Sequence, residues 1–335
     1  MGGDIGFAES YIAGEWKTPD LTAVLLLAAQ NYEPLSKALT PLKIITKLNR
    51  IRHVFRENTR KGSRRNIAAH YDLGNAFYQC WLDETMTYSS GLFDSLDESH
   101  SIAQQRKYLR LAKILNIQPN DDVLEVGCGW GGFAEFLATK FGCKVLGLTL
   151  SNEQAKFSKE RILKAGLSDK VEIRIEDYRD VTGSFDKIAS IEMFEAVGEK
   201  NWGTYFSVLK KRLRPHGKAA LQIITMTEEV AKSYRENPDF IQLFVFPGGM
   251  LPTPSSILHH AELSDLKVRE SFYFGKSYAE TLRRWQKTFD YRWDDIEPLG
   301  FDERFRRMWK YYLSYCEAGF ENGHIDVGQF VIDHK

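Results

Sequence analysis

Asp121–Gly132 reads DDVLEVGCGWGG, a short apolar run that closes on four glycines. Val123, Leu124 and Val126 make a strand too short for a helix, and the glycines demand a tight turn into the helical pattern of Phe133–Phe141. Outward from this unit the same alternation repeats. Lys144–Leu148 is a second strand, and Ser151 then caps a helix running to Ala165, with Gln154 completing an S-x-x-Q capping box. Val171–Ile175 and Phe185–Ile191 are the third and fourth strands, Trp202–Leu213 is a helix and Ala219–Ile224 the fifth strand. Strands spaced by helical patterns of about 10–15 residues predict a doubly wound α/β domain with a mostly parallel sheet. Past Thr225 the simple repeat stops. The aromatic, turn-rich stretch Phe240–Pro254 (FIQLFVFPGGMLPTP) falls in an insertion of about residues 226–262, followed by a strand at Leu266–Phe274, helices at Tyr278–Tyr291 and Phe301–Phe320, and a seventh strand at Ile325–Ile332. The insertion is expected to lie as a lid above the carboxyl ends of the strands, where open α/β sheets bind ligands.

The chain has 335 residues, 43% hydrophobic and 27% charged, which excludes disorder as its main state. Lys and Arg balance Asp and Glu at 45 each, which argues against a nucleic-acid partner. That balance is uneven along the chain. Lys43–Arg65 carries nine basic residues against the single acid Glu57, with Ile44, Ile45, Leu48, Ile51 and Phe55 at helical spacing. Two readings stay open for this basic amphipathic helix: a solvated helix packed on its own domain, or attachment to an anionic lipid surface. Residues 1–65 are accordingly read as a helical, lipid-associated segment and 66–335 as the catalytic domain. No apolar run approaches the roughly 18 residues of a membrane span, because Ala23–Ala29 is closed by Gln30 and Asn31. The first ten residues do not read as a signal peptide. Cys80, Cys128, Cys143 and Cys316 are widely spaced, which argues against a zinc site or a disulfide framework and fits a reducing cytoplasm. No metal is expected.

Gly127, Gly129 and Gly132 satisfy G-x-G-x-x-G, a weak signal for a dinucleotide. A nicotinamide site wants an acid at the end of the second strand, and here that strand ends Leu148-Thr149-Leu150-Ser151. The fuller pattern Glu125-x-Gly127-Cys128-Gly129-x-Gly131-Gly132 resembles instead the first motif of class I S-adenosylmethionine-dependent methyltransferases. More specific runs occur in order: HYDLGNAFYQCWLDETMTYSS (His70–Ser90), GLTLSNEQ (Gly147–Gln154), EDYRD (Glu176–Asp180), IEMFEAVGEKNWGTYF (Ile191–Phe206) and FPGGMLP (Phe246–Pro252). Together they resemble cyclopropane-fatty-acyl-phospholipid synthases and the similar mycolic acid methyltransferases, from about Asn66 onward. FAESYIAGEW (Phe7–Trp16) resembles the tail of the small N-terminal lipid-associated domain of bacterial members.

The resemblance implies that S-adenosylmethionine is held by Tyr88 and Ser89, by Glu125 and the backbone of Gly127, Cys128, Gly129 and Gly131, by Thr149, Leu150 and Gln154, and by Ile175 and Glu176. Taken singly, Gln154 reads equally as a cap and Tyr88 as core. The resemblance also implies a bound bicarbonate as base, held by a Cys, the Glu of an FEH motif, a strand His, a backbone group and a Tyr. In this sequence those positions read Ser90, Glu195 (followed by Ala196), Gln222, Ile224 and Tyr278. Ser and Gln still form hydrogen bonds, so Glu195, Tyr278, Gln222 and Ser90 are expected to make the proton-abstraction site with or without bicarbonate.

The implied function is methyl transfer to the double bond of an unsaturated acyl chain of a membrane phospholipid, giving a cyclopropane. An acyl C-methyltransferase leaving a methyl branch or methylene, and a small-amine N-methyltransferase, are the alternatives. The aromatic residues are read mostly as core, with some available to face a carbocation. The expected location is cytoplasmic, peripheral on the inner face of an anionic membrane, and the resemblance leaves room for a homodimer.

Overall fold

A computed structural model describes residues 3–31, 62 and 73–335, so the basic segment Lys43–Arg65 lies, Gly62 apart, outside the described residues. Seven strands form one sheet: β1 (Asp122–Val126), β2 (Lys144–Thr149), β3 (Val171–Ile175), β4 (Phe185–Ile191), β5 (Leu213–Met226), β6 (Leu266–Tyr273) and β7 (Ile325–His334). Their order is β3-β2-β1-β4-β5-β7-β6, with β7 alone reversed, running antiparallel to β5 and β6. The predicted mostly parallel sheet is thus present. β1 has β2 on one side and β4 on the other, so the crevice of a doubly wound sheet opens where β1 ends, at Gly127.

β1 sits there because Val123, Leu124 and Val126 are at most 3% exposed, buried on both faces as a central parallel strand requires. Asn152–Lys164 follows β2 as a helix capped by Ser151, whose Oγ accepts the Gln154 N–H at 3.2 Å. The predicted capping box is only half formed. The Gln154 side chain accepts from Thr149 Oγ1 at 2.8 Å, while the Ser151 N–H donates to the same Thr149 oxygen at 3.1 Å. Thr149 therefore satisfies the donor that the box would have used, and Gln154 is turned toward the crevice.

Two apolar clusters cover the sheet. A third, rich in aromatic rings, joins the helices Asn75–Trp81, Gly275–Tyr291 and Glu303–Asn322 to the first two helices of the chain, Gly3–Ile12 and Leu21–Gln30. Those two pack along Glu303–Asn322, with the Tyr11 carbonyl accepting from Arg307 at 2.5 Å, so the N-terminal residues share a core with the rest of the described chain. The insertion after β5 comprises the helices Glu228–Glu236 and Pro254–Leu263 and a wide helical turn at Ile241–Val245. Its aromatic residues pack as core: the Phe240 ring lies 4.7 Å from that of Tyr311, and Phe246 lies 6.1 Å from Tyr312. The Phe246–Met250 turn is tied to the loop after β4, where the Met250 N–H donates to the Glu195 carbonyl at 2.9 Å. Among the described residues no helix is long and apolar enough to cross a membrane.

Candidate active site

The cleft beyond β1 is lined by Tyr88, Ser89, Glu125, Gly127, Cys128, Gly129, Thr149, Leu150, Gln154 and Glu176, all expected in a cofactor site. Gly131 and Ile175, expected with them, are not in the lining; Ile175 ends β3 at 43% exposed. Gly127 is irreplaceable on two grounds. Its φ is +81°, and a Cβ would stand 2.6 Å from Met193 Cγ. A Cβ on Gly129 would meet nothing within 4 Å, so the loop leaves open volume above itself. The loop is pulled down by Gly127 and Cys128, whose N–H groups donate to the Leu148 carbonyl at 3.0 and 2.8 Å.

The chemistry of the lining can be tested against the implied cofactor. Glu125 Oε2 is buried and has no hydrogen-bond partner among the described residues, and burial pushes the Glu125 pKa up to about 8. A buried carboxyl oxygen without a partner, at the floor of an open cleft, suits a cationic nucleoside: the positive charge would draw the carboxyl pKa back down, and ammonium and hydroxyl donors would pair the carboxylate so formed. S-adenosylmethionine fits these residues.

Beside this cleft, the expected base cluster assembles around a different carboxylate. Glu192, the residue after β4, lines the cleft with φ +50°. Its Oε1 accepts the Ser90 N–H at 3.0 Å and Gln222 Nε2 at 2.7 Å, and its Oε2 accepts the Tyr278 hydroxyl at 2.6 Å. Ser90, Gln222 and Tyr278 thus converge as predicted, but on Glu192 and not on Glu195. Glu195 stands one turn further on. Its Oε1 accepts the Ile224 N–H at 2.5 Å, and its Oε2 is buried without a partner. The physical reason is register. Glu192 leaves the end of β4 beside β5, where the Glu192 N–H pairs with the Gln222 carbonyl at 2.8 Å and puts the two side chains together. Ser90 contributes its backbone and not its hydroxyl, which donates to the Gly91 carbonyl at 2.8 Å.

Gln222 cannot turn its amide around. Arg110, anchored on Glu270 at 2.8 Å, can only donate, and it donates to Gln329 Oε1 at 2.6 Å. Gln329 Nε2 then donates to Gln222 Oε1 at 3.0 Å, leaving Gln222 Nε2 for Glu192. The chain of donors fixes Glu192 as an acceptor.

Lys107 completes the site. It lies on the helix His100–Leu115, is 0% exposed, and donates from Nζ to Ser89 Oγ at 2.7 Å. Burial pushes its pKa down to about 7, opposed chiefly by the Glu192 charge. Glu192 is raised by burial and held down by Lys107, Tyr278, Gln222 and Ser90. Glu195 is raised to about 8, first by burial and then by repulsion from Glu192. Burial thus raises both carboxyls, but Glu192 has four groups holding it down, whereas Glu195 is pushed further up by its neighbour and keeps its proton at neutral pH. Sequence reasoning missed both Glu192 and Lys107. A lone acid at the carboxyl end of a central strand was a usable signal for the first; Lys107, one of several basic residues on an amphipathic helix, gave none.

The family model for mycolic acid cyclopropane synthetase matches residues 58–330. The tuberculostearic acid methyltransferase UfaA1 of Mycobacterium tuberculosis is 40% identical, over 98% of this chain and 79% of that protein. The cyclopropane-fatty-acyl-phospholipid synthase of Escherichia coli K12 is 35% identical, over 98% of this chain and 83% of that protein. The solved structure of the mycolic acid cyclopropane synthase CmaA1, complexed with SAH and CTAB, superimposes with a TM-score of 0.76 at 29% identity, over 81% of this chain and 98% of that one. With the glycine loop, the open cleft and the matched length in agreement, the chain belongs to the mycolic acid cyclopropane synthetase family and is an S-adenosylmethionine-dependent methyltransferase.

Proposed function

We propose that this methyltransferase acts on the double bond of an unsaturated fatty acyl chain carried by a membrane phospholipid. The observation that carries the reading is the Glu192 carboxylate, oriented by three donors at the edge of the cofactor cleft and backed by aromatic rings. An alkene is a poor nucleophile, so it needs an oriented site from which water is excluded. Methylation of a double bond leaves positive charge on carbon and a proton to be removed. Aromatic faces and a carboxylate answer those two needs: the Tyr278 and Phe320 rings lie 4.3 Å apart, and those of Tyr88 and Trp285 5.3 Å. When bound, S-adenosylmethionine supplies an electrophilic methyl on a positively charged sulfur. Gly127 and Gly129 let the backbone approach it, Glu125 offers an unpaired carboxyl oxygen, and Ser89, held by Lys107, borders both it and the base.

A cyclopropane is the product expected from the family resemblance. The open product, a methyl branch or methylene, is favoured by one specific observation: the relative at 40% identity is named a tuberculostearic acid methyltransferase, against 35% for the named cyclopropane synthase. Incubation with unsaturated phospholipid vesicles and methyl-labelled cofactor, followed by mass spectrometry, tests the function. Both products gain one CH2, and only the open product bearing a double bond is cleaved by ozone. Transfer to soluble amines without vesicles, and none to lipid, would sink the reading.

The lipid would be met through Lys43–Arg65, whose net excess of basic residues is worth roughly 1 kcal/mol per charge near an anionic surface. Vesicle binding should weaken steeply as salt rises and vanish for neutral vesicles. Binding indifferent to salt and to neutralisation of these residues would remove the segment from the function.

A further inference from the structure

We infer that Glu192 is the resident base of this enzyme and stands in the place of the bicarbonate that the family resemblance implies, so that the reaction needs no exogenous anion. The proton-removal step rests on the lipid reading above; the occupancy of the site does not.

A planar anion bound by the implied set would require donors from the Ser90 position, Gln222, Tyr278 and the Ile224 backbone. All four are already engaged by carboxylates of this chain. Three donate to Glu192 at 2.6–3.0 Å, and the Ile224 N–H donates to Glu195 at 2.5 Å. The fixed orientation of Gln222, imposed from Arg110 through Gln329, keeps its Nε2 on Glu192 and its Oε1 on Gln329. A second anion here would also lie against the Glu192 carboxylate, and like charges in contact repel. The buried basic group nearby, Lys107, donates to Ser89 Oγ at 2.7 Å and lies within the electrostatic reach of Glu192. The residues therefore do not fit bicarbonate as a bound group.

The backbone points the same way. Glu192 is one of four non-glycine residues at positive φ among the described residues, a region that side chains rarely adopt. Strain of this kind persists where the surrounding structure over-determines the residue, and here three donors and the β5 pairing do so.

The step balances within the chain and its substrate. Methylation leaves the acyl chain one electron pair short at a carbon. A neighbouring C–H bond breaks, its electron pair closes a cyclopropane or forms a new double bond, and the proton moves to a Glu192 carboxylate oxygen. Glu192 becomes neutral and returns the proton to solvent through the cleft after the product leaves.

The test uses the full-length protein and carbon-13 bicarbonate. Line broadening in NMR should detect no binding to the unaltered protein. Glu192→Gly relieves the positive φ and frees three donors and Lys107; it should bind bicarbonate roughly a hundredfold more tightly than the unaltered protein does. Glu192→Gln, which keeps the shape of the side chain, should bind none. In buffer stripped of carbon dioxide the unaltered protein should keep its full rate of methyl transfer, and added bicarbonate should restore part of the rate to Glu192→Gly. Bicarbonate binding to the unaltered protein as tight as to Glu192→Gly, or a rate that falls when carbon dioxide is removed, would overturn the inference. The binding and carbon-dioxide measurements on the unaltered protein hold even where a variant fails to fold. Because the binding arm uses no lipid, a failure of the lipid reading leaves it standing.

Discussion

The two sides of the catalytic cleft are built in opposite ways. On the β1–β2 side, Glu125, the glycine loop, Thr149 and Gln154 come from one βαβ unit, within about thirty consecutive residues, and they are placed by backbone turns and strand pairing. On the β4–β5 side, Ser90, Lys107, Glu192, Gln222 and Tyr278 come from five separate parts of the chain and meet mostly through side chains, with Ser90 adding its backbone N–H. The first side is shaped by its backbone. The second is a charge-balanced cluster in which each group is defined by its neighbours.

The largest test of this contrast is Glu192→Gln. Turnover should fall by about two to four orders of magnitude, the range for a lost general base, while calorimetry finds cofactor affinity little changed. Retained turnover would return the base role to Glu195.

Lys107→Met comes next. It leaves the Ser89 hydroxyl without its buried donor and Glu192 without its positive neighbour, and denaturant unfolding should show a loss of about 1–3 kcal/mol. Removing a positive neighbour raises a carboxyl pKa, so the rising limb of the pH–rate profile should move to higher pH. A purely structural lysine would lower stability and leave that limb in place.

On the cofactor side, Gly127→Ala puts a methyl group 2.6 Å from Met193 Cγ at φ +81°. Stability should fall by about 1–3 kcal/mol and cofactor affinity should fall with it, without any shift in the pH profile. The smallest effect is that of Glu195→Gln. Folded Glu195 keeps its proton to about pH 8, whereas the unfolded chain releases it near the ordinary value of 4.5. Between those values the folded form binds more protons, so this residue's contribution to stability declines as pH rises. The melting temperature of the variant should therefore gain on that of the unaltered protein from pH 5 to pH 8, by a few degrees. Parallel melting curves across that range would mean that Glu195 is ionised in the folded protein.

The same contrast explains what could be read in advance. The strand ending in DDVLEVGCGWGG implied its own fold, because a five-residue strand buried on both faces and closed by glycines has few other solutions. The cofactor residues followed, since they sit at fixed offsets along that unit. The capping box failed in detail because Thr149, two residues before the cap, competes for the same donor. Glu192 lay within a quoted run but was passed over for Glu195, since a motif assigns roles by position and not by which side chain reaches the donors. The helices Asn75–Trp81 and His100–Leu115, which carry the aromatic wall and Lys107, stand outside the βα repeat that organised the reading.

What the sequence determined by itself is the local part: the alternating strands and helices, the glycine loop, the family, and the cofactor side of the cleft, all set by hydrophobic period and backbone conformation over short spans. Only the tertiary structure decided which of two nearby glutamates the donors reach. That depends on the pairing of β4 with β5, on a lysine buried from a distant helix, and on a relay from Arg110 that turns one amide toward Glu192. Electrostatic roles in a low-dielectric site are properties of the whole set of neighbours, and no single stretch of the chain contains them.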